Sequence, residues 1–343
     1  MIGAQLREAS ALAGVALGGA PLGNLYRALS DDEAVAVVHR AWALGVRYFD
    51  TAPHYGHGLS ERRFGMALRD AGRNAFVLST KVGRILHPDA RAPSSQHGYV
   101  DVPAFVQKYD YTREGVQRSL DDSRKRLGLD RIDLVYVHDL DRATHGDEFD
   151  RHFRTLLDSG LPALAELKRA GEIAGYGIGV NGVAICLDVL RHADLDAILL
   201  AGRYTLADQS ALPELLPLCQ SKNVAVVLGG PFNSGILATG AVPIAGQTAY
   251  FDYGPASPSM ISHVSALEAV CARHGVPLRA AALQFPAAHP AVAVVLAGAR
   301  NETEVNDLVA MRRHAIPPGF WLELRERGLI APAAPLPAQP HNA

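Results

Sequence analysis

Short runs of valine, isoleucine and leucine with little polar alternation recur along the chain. They occupy residues 14–19, 46–49, 75–80, 132–137, 173–180, 197–200, 224–228 and 292–296. Such runs suit parallel strands covered on both faces. Between them the apolar spacing changes to the helical period. Ser30 and Glu33 form a capping-box pattern, Val37, Val38, Ala41 and Leu44 share a face, and Gly45 stops the segment. Ser60-Glu61 is expected to open a second helix. Thr112 opens a third, with Val116, Leu120 and Leu127 before Gly128, and Pro162 a fourth, with Leu164, Leu167 and Gly171. Strands alternating with helices predict a parallel α/β protein, and eight units predict a closed (β/α)8 TIM barrel over 1–343 as one domain. No Gly-x-Gly-x-x-Gly joins the first strand to the first helix, which counts against an open dinucleotide-binding sheet. Two long stretches, 81–112 and 230–258, break the rhythm after strands, where barrel active sites gather. An Ala/Pro-rich tail, 331–343, is expected to be irregular.

Composition narrows the function classes. The chain has 343 residues, 48% hydrophobic and 20% charged, with a formal net charge of −2. Nothing in that balance suggests a nucleic-acid footprint or a polybasic membrane patch. Cys186, Cys219 and Cys271 are scattered without metal or redox spacing, which fits a reducing compartment. With no 18-residue apolar run and no signal-like N-terminus, the expected location is the cytoplasm. Of 33 basic residues only Lys81, Lys108, Lys125, Lys168 and Lys222 are lysines. A lysine at a strand end therefore stands out.

Chemistry concentrates at the ends of three of these runs. The second ends in Asp50, with Tyr55 in the loop beyond; the third ends in Lys81; the fourth ends in His138. In a barrel these ends converge. A tyrosine hydroxyl ionises near pH 10, and a neighbouring ammonium is expected to bring that value down. Asp50 would hold Lys81 charged, and His138 would hydrogen-bond the substrate oxygen that Tyr55 protonates or deprotonates. A competing reading takes His138-Asp139 with His54 and His57 as metal ligands, but no later acid–histidine set supports it. The three cysteines read as packing.

The stretch Asp50-Thr-Ala-Pro-His-Tyr55-Gly, then Lys81, then Leu127-Gly-Leu-Asp-Arg-Ile-Asp-Leu-Val-Tyr-Val-His138 resembles the aldo-keto reductase superfamily over about 10–325. Leu17 to Tyr26 and Gly230-Pro231-Phe232-Asn233-Ser234-Gly235 resemble its branch acting on aldoses such as L-fucose, D-arabinose or L-galactose, or on pyridoxal. The resemblance implies an NAD or NADP cofactor, a small sugar or aldehyde substrate, and a tetrad of Asp50, Tyr55, Lys81 and His138. It implies cofactor contacts at Gly19, Asn181, Pro231, Asn233, Ser234, Gly235, Gly298, Ala299, Arg300 and Glu304. It departs from the family pattern at Val180, where a serine is usual, at Arg203, where a glutamine often holds the carboxamide, and at Gly229, where an aromatic side chain often stacks. Arg203 is expected to replace the glutamine. Glu304, in place of a phosphate-binding arginine, points to NAD, since a carboxylate suits ribose hydroxyls; Arg300 keeps NADP possible. His54, Phe105 and Phe232 are candidate substrate contacts. The expected reaction is oxidation of a lactol at C1 to a lactone. Pyridoxal oxidation, NADPH-dependent reduction of small aldehydes, and a non-enzymatic nicotinamide sensor are the alternatives.

Overall fold

The structure is a computed structural model and describes residues 2–242 and 248–337. Eight parallel strands pair in chain order and close: β1 (Ala16–Gly18), β2 (Tyr48–Asp50), β3 (Val77–Val82), β4 (Leu134–His138), β5 (Gly175–Val180), β6 (Ala197–Ala201), β7 (Ala225–Gly229) and β8 (Val292–Gly298). β1 joins β2 on one side and β8 on the other. The expected barrel is present, each strand overlapping its apolar run.

Strand alternation sorts the side chains. Tyr48, Leu134, Tyr136, Leu199, Val227, Val294 and Leu296 form one buried cluster inside the barrel. Their neighbours, such as Phe49, Leu78, Val135, Ile198 and Val226, join a second cluster under the helices. On β5 the inward positions are Gly175, Gly177 and Gly179; a Cβ on Gly179 would lie 3.4 Å from the Tyr136 Cβ and 3.5 Å from the Lys81 side chain. The missing side chains leave room for those bulky neighbours. A helix not foreseen from the sequence, α1 (Ile2–Ser10), closes the bottom by adding Ile2 and Leu6 to the inner cluster.

Helix α2 (Asp31–Ala43) carries the expected reciprocal cap, with the Glu33 amide donating to the Ser30 hydroxyl and Glu33 accepting from the Ser30 amide. Thr112 caps helix 113–127 by accepting from the Gly115 amide. Ser60 does not cap. Helix α3 (Leu59–Leu68) starts one residue earlier, after Gly58, and Ser60 donates instead to the Gly19 carbonyl at 2.8 Å. Pro162 does not begin its helix from coil either: Phe149–Thr155 runs through a π turn, Leu156–Gly160, into Leu161–Arg169. The 81–112 stretch contains an antiparallel hairpin, Arg84–Pro88 with Phe105–Tyr109. The 230–258 stretch holds a short helix, Ile236–Thr239, and a small hairpin, Tyr250–Phe251 with Gly254–Pro255; residues 243–247 lie outside the described residues. The tail is irregular over 331–337, and 338–343 lie outside the described residues.

Candidate active site

The period-2 alternation that turns Tyr48 and Tyr136 inward also turns the last inward residue of three adjacent strands upward into one mouth. Those residues are Asp50, Lys81 and His138. Lys81 Nζ donates to Asp50 Oδ2 at 2.7 Å and to the Thr51 carbonyl at 2.9 Å. Ser79 donates to Asp50 Oδ1 at 2.7 Å, and the Tyr48 hydroxyl lies 2.9 Å from Ser79 Oγ. Asp50 is thus saturated from below, although burial raises its carboxyl above the ordinary range.

Tyr55 reaches the same place from the loop after β2. Lys81 Nζ lies 4.5 Å from its ring centroid, and the His138 ring is 5.9 Å away, edge-on. The loop is held by a close backbone crossing. A Cβ on Gly23 would meet the Tyr55 carbonyl carbon at 2.5 Å, and one on Gly56 would meet the Gly23 oxygen at 2.2 Å. Only two glycines permit that approach.

The electrostatics correct one expectation. The net shift of the Tyr55 hydroxyl is upward, not downward. Burial pushes it well above the usual tyrosine value, and the carboxylates of Asp50 and Asp139 push the same way, while Arg84 opposes them. Lys81 Nζ sits against the ring face and donates to Asp50 and Thr51. His138 moves in the opposite direction. Burial, then Arg84 and Lys81, hold it well below the ordinary imidazole value, so it is neutral. Its Nε2 lies 3.4 Å from Asp139, and its buried Nδ1 has no hydrogen-bond partner among the described residues.

A family model described as the aldo/keto reductase family matches residues 14–326. The chain belongs to the aldo-keto reductase family. It is an NAD(P)-dependent oxidoreductase acting on CH–OH groups. It is 43% identical to pyridoxal 4-dehydrogenase of Microbacterium luteolum over 92% of this chain and 94% of that one. It is 40% identical to D-threo-aldose 1-dehydrogenase of a Pseudomonas species, over 94% and 97%. Among solved structures, an aldo-keto reductase from Bacillus halodurans superimposes with a TM-score of 0.70 at 24% identity, over 96% and 94% of the two chains, and shares the fold.

A cavity of about 680 Å³ opens beside β8, lined by Phe232, Ser234, Gly298, Arg300, Thr303 and Glu304 among others. An apolar wall at Phe232 and Pro21, hydroxyls at Ser234 and Thr303, and the start of helix Glu302–Arg313 fit the nucleotide part of NAD(P). Phe232, a candidate substrate contact, lines this cavity. Glu304 is busier than the sequence suggested: it accepts from the Arg300 amide at 2.8 Å, pairs with the Arg300 guanidinium at 3.3 Å, and its amide donates to Asn301.

Arg203, expected in place of the missing glutamine, is engaged by three protein partners. Its Nε donates to the Asn181 carbonyl at 2.6 Å, Nη1 to Asp208 at 3.1 Å and Nη2 to Asp252 at 2.8 and 2.9 Å. It ties the loops around Asn181 and the 250–255 hairpin. Asn233 is also a loop tie, accepting from Thr205 at 2.5 Å and donating to the Gly202 carbonyl at 3.0 Å. Ser234 accepts from the Tyr253 amide at 2.8 Å. Gly19 packs on the end of β2, its amide donating to the Asp50 carbonyl at 2.8 Å. Pro231 and Ala299 are buried, Gly235 has φ 105°, and Gly229 ends β7 against Leu199. Phe105 lies at the end of its hairpin away from Arg84, opposite Pro88.

Sequence reasoning missed Arg84 and Gln107, and weighed Asp139 only as a metal ligand. Arg84 forms a short ion pair with Asp139, and Asp139 holds a left-handed φ of 47°. The signal was present, since Arg84 follows Lys81 by three residues and Asp139 follows His138 directly. Among the described residues no group of three or more His, Cys, Asp or Glu side chains is arranged to hold a metal. No helix of the described residues is long and apolar enough to cross a membrane.

Proposed function

We propose that this aldo-keto reductase oxidises the lactol form of an aldose at C1, giving a lactone, with NAD as the preferred cofactor. One observation carries the reading: Tyr55 and His138 flank one point above a buried Asp50–Lys81 pair. The nicotinamide, when bound, accepts the hydride. Tyr55 takes the hydroxyl proton. Neutral His138 orients the same oxygen, and the Lys81–Asp50 pair fixes the electrostatic floor beneath them. L-Fucose, D-arabinose and L-galactose are the first substrates to try. The 40% identity to a D-threo-aldose 1-dehydrogenase and the polar surroundings of His54 support a polyhydroxylated substrate.

The preference for NAD rests on the paired charges of the cavity. Arg300 is matched by Glu304, and Arg279 by Asp307 at 3.1 Å. A 2′-phosphate would have to displace one carboxylate, whereas ribose hydroxyls can use them.

A second reading, oxidation of pyridoxal, is favoured by the 43% identity to a pyridoxal 4-dehydrogenase and by the rings of His54, His97 and Tyr99 beside the site. The deciding experiment follows nicotinamide reduction with NAD⁺ and with NADP⁺, against a panel of aldoses and pyridoxal. Turnover of aldoses sharing one configuration supports the first reading. Turnover of pyridoxal alone replaces it with the second.

A further inference from the structure

The hairpin after β3 carries a chain of hydrogen bonds whose directions can be deduced one from the next. Arg84 is buried, and its guanidinium can only donate. Its Nη1 lies 3.1 Å from one end of the Gln107 amide, so that end is the oxygen. Gln107 Nε2 is buried without a hydrogen-bond partner among the described residues, so the nitrogen exerts no competing choice. The Gln107 oxygen also lies 2.9 Å from His54 Nδ1. Two acceptors do not approach that closely, so Nδ1 carries the proton. The alternative contact, Arg84 Nη1 to His54 Nδ1, is longer at 3.4 Å. A neutral imidazole protonated at Nδ1 has a lone pair at Nε2. Burial and Arg84 drive His54 down to about 3, which keeps the ring neutral at working pH.

The His54 ring lies beside the catalytic groups, 5.7 Å from the ring of His138 and 6.2 Å from that of Tyr55. Its Nε2 makes no hydrogen bond to the described residues. The same Arg84 also pairs with Asp139, next to His138.

We infer that Arg84 is a positioning residue that, through Gln107, holds His54 as the Nδ1–H tautomer, and that His54 Nε2 accepts a hydrogen bond from a substrate hydroxyl near the reacting carbon. This makes His54 a specificity determinant. It selects substrates bearing a hydroxyl donor and discriminates against a carbonyl or ether oxygen at that place. The inference deepens the proposed function and rests on it for the identity of the reacting carbon.

Two measurements test it. The first needs no turnover: ¹⁵N NMR of the full-length protein with labelled histidine, the His54 signals assigned by their loss in His54→Gln. The expected result is a protonated Nδ1 and an unprotonated Nε2 at neutral pH, with tautomers mixed in Arg84→Met and restored in Arg84→Lys. A proton on Nε2 in the unsubstituted protein overturns the inference. The second compares kcat/KM for an accepted substrate and its singly deoxygenated analogues. One analogue should fall by roughly tenfold or more in the unsubstituted enzyme, and that penalty should disappear in His54→Leu. Arg84→Met should shrink it, and Arg84→Lys should retain it. Equal discrimination by His54→Leu and the unsubstituted enzyme overturns the inference while leaving the dehydrogenase reading intact. Absence of turnover on every aldose defeats the aldose reading alone, and the NMR result still decides the tautomer.

Discussion

Lys81 Nζ and Asp50 Oδ2 are 2.7 Å apart, and both side chains are almost wholly buried. Removing either partner leaves the other as an uncompensated charge in a low-dielectric setting. Lys81→Met should therefore do two things. It should lower turnover by roughly 10²–10⁴-fold, as expected for loss of the support to a proton-transferring group. It should also destabilise the fold by about 3–5 kcal/mol. Chemical denaturation and steady-state rates measured on the same preparation separate the two effects. A lysine variant with full activity would remove the pair from the mechanism.

Tyr55→Phe keeps the ring against Lys81 and removes only the hydroxyl. Turnover should fall by roughly 10²-fold or more. Cofactor affinity, read by quenching of protein fluorescence, should change little, because the candidate nucleotide cavity lies beside β8 and not beside Tyr55. A variant that still turns over at the original rate rules Tyr55 out as the proton acceptor.

The directions of the two shifts predict an asymmetric pH profile. On the proposed mechanism oxidation needs Tyr55 without its proton, and burial holds the proton on to well above the usual tyrosine value. The rate of oxidation should therefore climb from neutral into alkaline pH, by about tenfold per unit where proton removal limits. Reduction uses the protonated form and should stay flat over the same range. His138, held well below its ordinary value, should add no break near pH 6.5. An oxidation rate independent of pH between 6 and 9 would show that another group is the base.

Glu304 braces the capped start of its own helix, its side chain accepting from the Arg300 amide, and is the ion-pair partner of Arg300. Glu304→Ala frees Arg300 to meet a phosphate. The ratio of kcat/KM for NAD⁺ over NADP⁺ should move toward NADP⁺ by about tenfold, the size of one charge-assisted contact. The melting temperature should fall slightly through the weakened cap. An unchanged ratio would place the 2′-position elsewhere.

Arg203 joins three separate segments through Asn181, Asp208 and Asp252. Arg203→Ala should loosen the hairpin at 250–255, visible as faster amide exchange there, while the barrel strands keep their protection. If Asn181 depends on this tie, cofactor binding should weaken as well. Exchange that is unaltered at 250–255 would show that the Ser234–Tyr253 bond alone holds it.

The barrel and the meeting of Asp50, Tyr55, Lys81 and His138 at its mouth were legible because each depends on a local pattern. Unalternating apolar runs mark strands buried on both faces, and Asp50, Lys81 and His138 stand at their ends. What escaped depends on distant partners. Ser60 looks like a cap until Gly19 is brought beside it by the closing of β1 on β2. The ties of Arg203 depend on Asp252, from a hairpin 49 residues away, which meets its guanidinium. The downward shift assigned to Tyr55 considered one cation and omitted burial and the two carboxylates. The residues 84–109 read as loop because the alternation in the Phe105–Tyr109 strand is brief and its partner strand ends at a proline, Pro88.

The strand order has a stereochemical consequence. Asp50, Lys81 and His138 stand on β2, β3 and β4, adjacent staves of the barrel, with Tyr55 in the loop after β2, while the candidate nucleotide cavity borders β8 and the loop after β7. On the proposed reading, a carbon held between these two walls meets different chemistry on each side and cannot exchange them by rotation without losing its contacts. Hydride departure is then confined to one face of the sugar carbon. Of two anomers in solution only one presents its C–H bond to that wall, and the other must ring-open and reclose before it can react. The closed ring of strands thereby fixes handedness, and mutarotation of the free sugar becomes a step the barrel does not control.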